Sequence, residues 1–366
     1  MPSKREVREA KQRYAQYYLD ILRDANDLYE QGGDNIVPAL QKFNLEWGQI
    51  QHGQAWALSH AQEDDTAELC NNYPLAGARL LNLRLKPVEL ISWHDGALVA
   101  ARHLKNLGYE GAHLGYLGSA YRALGQYERA IEYHQQGLKA ARESGDRQGE
   151  GAGLGDLGSD YYILGQYEQA IRHYRQALAI AREINDWHGA SSRLGNLGNV
   201  YERLGQYEQA IEHHQQALTI NRKIGNRRGE GEDLGNLGNA YFYLGQYEQA
   251  IRHYRQALAI AREIGDQEGE AKNLLSLGNA YFIVGQYDQA IEYQELALAI
   301  SQEISDTGNE GLCLFNLGAA YANLGEYKRA IEYLQQAHTI FAKIGAMHEV
   351  KMVDETIAKV RQRLGG

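Results

Sequence analysis

The chain has 366 residues, with 37 Lys and Arg against 47 Asp and Glu, for a formal charge of −10 at pH 7. The two signs alternate along its whole length, which excludes the basic stripe that nucleic acid or an anionic membrane requires. Two cysteines, Cys70 and Cys313, without a CxxC spacing, exclude a disulfide framework and fit a reducing, cytoplasmic compartment. No stretch approaches the roughly 18 apolar residues of a membrane span.

The first residues mix charges with Val7, Ala10, Tyr14, Ile21, Leu22, Ala25 and Leu28. That pattern reads as an amphipathic helix, and it lacks the unbroken apolar run of a signal peptide. Ser3 and Glu6 stand at capping-box spacing ahead of it. Residues 1–73 are expected to form an N-terminal helical region. Residues 74–113 read as a degenerate repeat, because ISWHDGALVAARHLKNLGYEGA at 91 aligns with IEYHQQGLKAARESGDRQGEGA at 131. In it, Ala78 stands where later units have glycine, and Pro87 takes the place of a tyrosine. All four prolines precede the regular array.

From 114 to 345 the chain repeats every 40 residues: Leu114 to Leu314, Gly118 to Gly318, Tyr121 to Tyr321, Gly125 to Gly325, Tyr127 to Tyr327 and Ala130 to Ala330. Six units follow. Each holds two helical patterns. In one of them Leu194, Leu197 and Tyr201 share a face at about 100° per residue, with Gly198 as a notch beside them. A second helix opens at Tyr207 and buries Ala210, Ile211, Ala217 and Leu218. Leu204-Gly205-Gln206 breaks the chain between them, its glycine suited to a left-handed C-cap. The next break, GDRQGE at 145 or GNRRGE at 225, supplies an Asp or Asn N-cap. Such hairpins bury one stripe each, so stability requires stacking on neighbours.

Leu114-x2-Leu117-Gly118-x2-Tyr121, followed by Ala130, His134 and Gly137, resembles the tetratricopeptide repeats, and the LGN, GxYxxAIxxH and GD segments resemble their longer Leu-Gly-Asn type. The resemblance implies an all-α fold, a right-handed α-solenoid (tetratricopeptide superhelix) of antiparallel helical hairpins. The family's proline near the end of the second helix is replaced here by Arg142, Arg182, Arg222 and Arg262. KQRYAQYYLDILRDANDL and ALQKFNLEWGQIQHGQAWALSHAQ, near the N-terminus, are similar to the helices that follow the NB-ARC module in STAND signalling NTPases. No Walker GxxxxGK[ST] occurs in this sequence. Residues 346–366 are expected to cap the array with Met352, Val353, Ile357, Val360 and Leu364 inward and a charged exterior.

The chemistry-bearing motifs reduce to packing. Gly153 to Gly158 spells GxGxxG, but no strand precedes it and other units break the pattern. His134, His173, His213, His214 and His253 recur at two repeat positions where other units carry Tyr or Gln, and neither HExxH nor HxH occurs. No catalytic residue, metal or cofactor is expected.

Asparagines remain. Asn is a poor helix-interior residue, yet Asn196, Asn199, Asn236, Asn239, Asn279 and Asn316 recur in first helices, about 140° to 200° around from the packed leucines. In tetratricopeptide arrays first helices line the concave side, so the resemblance implies a ladder of amides facing a groove. Each amide has donor and acceptor for the backbone of an extended segment, or for neighbouring first helices. Arg203, Tyr243 and Lys272, with Glu202 and Phe242 beside them, would set specificity. An acidic and an apolar anchor on a bound peptide is the expectation. The function read from sequence is thus a protein- or peptide-binding scaffold, with a sensor arm acting beside a separate STAND-type NTPase as the alternative.

Overall fold

The computed structural model describes residues 2–365, and among them it holds eighteen α-helices and no strand. The chain forms two compact units, Met1–Asn185 and Asp186–Gly366.

The first unit comprises α1 (Lys4–Glu30), α2 (Ile36–Ser59), α3 (Asp64–Ala76), α4 (Ala78–Arg84), α5 (Pro87–His103), α6 (Leu107–Ala123), α7 (Tyr127–Ser144), α8 (Arg147–Ile163) and α9 (Tyr167–Glu183). The Ser3–Glu6 capping box is formed. Leu19, Leu22, Phe43, Ile50, Tyr73, Leu80 and Trp93 make the core of the irregular N-terminal helices. Tyr73 Oη donates to the Ala15 carbonyl at 2.7 Å, satisfying the one polar atom of a fully buried ring. Pro87 opens α5 at its first turn, where a missing N–H costs nothing. From α6 onward regular hairpins begin, α6 with α7 and α8 with α9.

The second unit comprises α10 (Trp187–Arg203), α11 (Tyr207–Ile224), α12 (Arg227–Tyr243), α13 (Tyr247–Ile264), α14 (Gln267–Ile283), α15 (Tyr287–Glu303), α16 (Thr307–Asn323), α17 (Tyr327–Lys343) and α18 (Met347–Gly365). Four hairpins stack and α18 covers the last. Val353, Ile357 and Val360 of α18 are buried, whereas Leu364, expected inward, is exposed. The period fixes the length of a unit but not its phase. Helices begin just after the Asp or Asn cap, so boundaries at 73/74 and 113/114 fall inside α3 and α6.

Asp146, Asp186, Asn226 and Asp266 each accept from the amide three residues on, Gly149, Gly189, Gly229 and Gly269, at 2.8–3.2 Å. Gly205 closes α10 at φ 71°, the left-handed conformation only glycine takes cheaply. The repeat glycine has a packing reason. A Cβ at Gly118, Gly158, Gly238 or Gly318 would overlap His134, Tyr174, Tyr254 or Leu334 of the partner helix.

Where the family carries proline, this chain ties hairpins together. Arg102, Arg142, Arg222 and Arg262 bond Glu110, Glu150, Glu230 and Glu270 in the first turn of the following helix, at 2.7–2.9 Å. Gln302 does the same to Glu310. The arginines are half exposed, so each pair contributes about 0.2–1 kcal/mol, and buried leucines such as Leu154, Leu157, Leu234 and Leu237 contribute more. In the second unit, successive first helices α10, α12, α14 and α16 touch directly, and second helices do not approach one another so closely.

Candidate functional site

On each first helix the residues at i, i+4, i+8, i+11 and i+15 form one stripe. In α12 these are Arg228, Glu232, Asn236, Asn239 and Tyr243; in α14, Glu268, Lys272, Ser276, Asn279 and Ile283. The first four of α12 and the first three of α14 wall a groove of about 360 Å³ floored by Tyr254, Ala257 and Ile260 of α13. The same place in the first unit, between α6 and α8, holds a groove of about 480 Å³. Its stripes carry Gly108, Ala112, Tyr116, Gln148, Ala152 and Asp156 instead, so one backbone geometry has two linings.

Of the residues picked out from sequence, Asn236, Asn239 and Lys272 meet in the α12/α14 groove. Asn239 Oδ1 accepts from Tyr254 Oη at 2.8 Å. Asn279 Oδ1 accepts twice, from Gln294 Nε2 at 2.9 Å and from Asn316 Nδ2 at 2.8 Å. These three amides therefore hold α12 to α13 and α14 to both α15 and α16. Asn196, Asn199 and Asn236 are half-buried and make no side-chain hydrogen bond among the described residues. Lys272 is paired with Glu268 on its own helix. Arg203 lies exposed at the end of α10. Tyr243, 62% exposed, stacks on Tyr207 with ring centroids 5.3 Å apart.

On another face of the hairpins, rings stack in register. Tyr161 lies on His173, Tyr201 on His213 and Tyr241 on His253, at 5.2–5.3 Å with planes within 9°. Burial and the adjacent arginines, Arg172 and Arg252 first, hold His173 and His253 below their ordinary pKa. No group of three or more His, Cys, Asp or Glu among the described residues is disposed to hold a metal.

Sequence reasoning missed two polar clusters, of whose side chains only His134 and Asp156 line a groove. In the first unit His134 Nδ1 faces Asp160 Oδ2 at 2.5 Å and its Nε2 faces the Gly115 carbonyl at 3.2 Å. Arg122 bridges Asp156 and Asp160 at 3.3 and 3.2 Å. In the second unit Asp233, 5% exposed, accepts from Asn221 Nδ2 at 2.8 Å, and Asn226 in turn donates to Asn221. Burial, with Glu232 adding repulsion, pushes the Asp233 carboxyl up to about 7 against the pull of that amide. Unit-by-unit comparison carries the signal for both. Asp160 stands where other units have Ala or Val, and Asn221 where others have Ala, Ser or Phe.

Stacked helical hairpins with a groove-lining first helix define a repeat scaffold. The tetratricopeptide repeat family matches residues 109–183, 190–263 and 270–343, more than half the chain. The chain belongs to the tetratricopeptide-repeat family, a class of protein-binding scaffolds, and its fold is that family's α-solenoid. No curated protein matches it. Among solved structures it is similar to BtubC (BKLC) from P. vanneervenii, at 25% identity and TM-score 0.55 over 60% of this chain and 92% of that one. The STAND protein PH0952 from Pyrococcus horikoshii, which has a tetratricopeptide repeat sensor, matches 93% of this chain at 17% identity and TM-score 0.60. This chain spans 55% of that protein's length. A Rap protein complexed with competence and sporulation factor matches 96% of this chain and 98% of its own at 16% identity and TM-score 0.56. No helix among the described residues is long and apolar enough to cross a membrane.

Proposed function

We propose that the chain is a non-catalytic scaffold that holds an extended segment of a partner protein against the first-helix stripes of α10, α12 and α14. One observation carries this. Residues 164–184 and 244–264, which include α9 and α13, are identical, while α8 and α12 before them differ at eight positions: Gly153/Asp233, Asp160/Ala240 and Tyr162/Phe242, and the five in one line, Gln148/Arg228, Ala152/Glu232, Asp156/Asn236, Ser159/Asn239 and Ile163/Tyr243. Those five are the whole groove stripe. Two nearly duplicate hairpins have kept the second helix and, on the first, varied every position of the face that a ligand would touch together with three positions off it. Asn196, Asn199 and Asn236 supply amides for backbone groups of the segment, Asn239 keeps its NH2 for the same use, and Arg203, Tyr243 and Lys272 flank them. Asn279 and Asn316 serve by holding α14 and α16 in place.

The test is site-specific photo-crosslinking in cells with a photoreactive residue at 236, 199 or 243, against controls at the second-helix surface positions 216 and 256. Adducts confined to the first-helix positions support the reading. Equal labelling of both faces refutes it.

The second reading, a sensor arm working beside a separate NTPase, is favoured by the likeness to the STAND protein, which takes in 93% of this chain. Crosslinks from α1 or α2 to an NTPase would support it.

A further inference from the structure

The Arg122 cluster and its counterpart 80 residues on show what the second unit lacks. In the first unit the set is Arg122, His134, Asp156 and Asp160, and every member has a partner of opposite charge or a carbonyl. In the second unit the same positions hold Glu202, His214, Asn236 and Ala240. The histidine is kept, while the arginine has become an acid and the buried acid an alanine. As a result His214, a fully buried side chain, has no hydrogen-bond partner at either ring nitrogen, and Glu202 Oε1 has none either. The two stand 3.5 Å apart, within ion-pair reach if the ring carries a proton but beyond good hydrogen-bond distance. His134 and Tyr254, at the repeat position of His214, each line a groove.

Buried polar atoms without partners cost about 1–3 kcal/mol each, and a chain that satisfies the same positions elsewhere has no packing reason to leave them open. The first unit also shows what the backbone accommodates there: a guanidinium, held by Asp156 Oδ1, Asp160 Oδ1 and the Asp156 carbonyl. A second acid faces the same pair of first helices, since Asp233 Oδ1 lies 3.7 Å from where a Gly195 side chain would begin.

We infer that the α10/α12 interface is a receptor for a cationic side chain, arginine above lysine, of the bound segment, with Glu202 as its counter-charge and His214 as a hydrogen-bonding neighbour. The inference rests on the scaffold reading and names the chemistry of its anchor. It replaces the acidic anchor that Arg203 and Lys272 suggest in the sequence, because Lys272 already has Glu268. Arginine is favoured because its planar fork bonds a carboxylate and a second acceptor together.

The experiment pans random peptides displayed on phage against the full chain and against Glu202→Gln, a near-isosteric variant whose fold is checked by its thermal melt. Peptides selected by the wild type are expected to share an arginine or lysine at one position. Replacing that residue by methionine should weaken binding to the wild type at least tenfold and to Glu202→Gln no more than threefold. Glu202→Arg should recover a peptide whose cation is changed to Glu. Groove-binding peptides without a shared cation, or an equal loss in Glu202→Gln, overturn the cation assignment and leave the scaffold reading standing. Enrichment of no peptide whose binding is lost in Asn199→Ala or Asn236→Ala overturns both.

Discussion

Asn316 donates its Nδ2–H to Asn279 Oδ1 at 2.8 Å, tying α16 to α14 across the first-helix face. The same oxygen accepts from Gln294 Nε2, so one amide organises three helices. Identical residue types on one ladder thus have different work: some join helices, and others face the groove with their hydrogen-bonding capacity open.

The difference is measurable. Asn279→Ala removes two acceptor bonds and leaves Asn316 without its partner, so it should lower stability by about 1–3 kcal/mol. Asn236→Ala removes no bond among the described residues and should change stability by less than about 0.5 kcal/mol. Urea denaturation of both variants checks this. A comparable loss in Asn236→Ala would place that amide with the structural ones.

Asp233 gives a pH signature. Its carboxyl is raised to about 7 in the fold from an ordinary value of 3.8, so the folded state binds the proton more tightly than the unfolded chain. Stability from this group is fully present below pH 3.8 and is lost as pH rises through 7. Asp233→Asn keeps an acceptor for Asn221 and removes the charge. The variant should gain about 1–3 kcal/mol at pH 8 relative to the wild type, and the gain should vanish near pH 4. Thermal melts at the two pH values decide it, and a pH-independent difference would contradict the burial argument.

How far this was legible in sequence depends on how local the cause is. The 40-residue period, the Gly205 turn and the Asp146 cap are written in single residues with strong backbone preferences, and these read directly. The resemblance to tetratricopeptide repeats came from the same positions. The α4 helix and the phase of the early hairpins were not legible, because residues 64–106 have lost the Gly and Tyr markers. The amides show a deeper limit. Asn236 and Asn239 look alike on a helical wheel, yet only Asn239 meets Tyr254, and no periodicity argument distinguishes them without the packing of α13. Glu202 and His214 each stood out in the sequence, one as a groove neighbour and one as a recurring histidine, but their approach to one another was not legible without the packing of α10 on α11.

Acid should loosen the entry to the regular array in the first unit. His113 Nε2 lies 2.9 Å from Asn71 Oδ1 and must donate, which leaves its Nδ1 as acceptor for His94 Nδ1–H at 3.1 Å. The chain of bonds joins α3, α5 and α6 and breaks once both rings are protonated, because neither Nδ1 can then accept, and the first proton already places a charge in a buried site. Burial pushes His94 down to about 3 and His113 to about 4. Folded values below the unfolded one mean stability that is present above about pH 6.5 and lost as pH falls. Each ring should cost about 1.4 kcal/mol per pH unit in that window, opposite in sign to Asp233 and twofold in number. Hydrogen exchange of α6 amides at pH 7 and 5 reads it, corrected for intrinsic rates. Unchanged protection would show the pair is not coupled to the helix.

Two glycine replacements within first helices should move stability in opposite directions. Helix propensity alone favours Ala over Gly by about 1 kcal/mol, and at Gly115 nothing lies within 4 Å of a new methyl. Gly115→Ala should therefore stabilise by about 0.5–1 kcal/mol. At Gly238 the methyl would sit 2.5 Å from the Tyr254 ring. That ring is buried and pinned through its hydroxyl to Asn239, so it has no open direction in which to yield. Overpacking of about 1–3 kcal/mol or more should exceed the propensity gain and destabilise the protein. A stabilising Gly238→Ala would show that α12 and α13 separate more readily than their shared ring and amide imply.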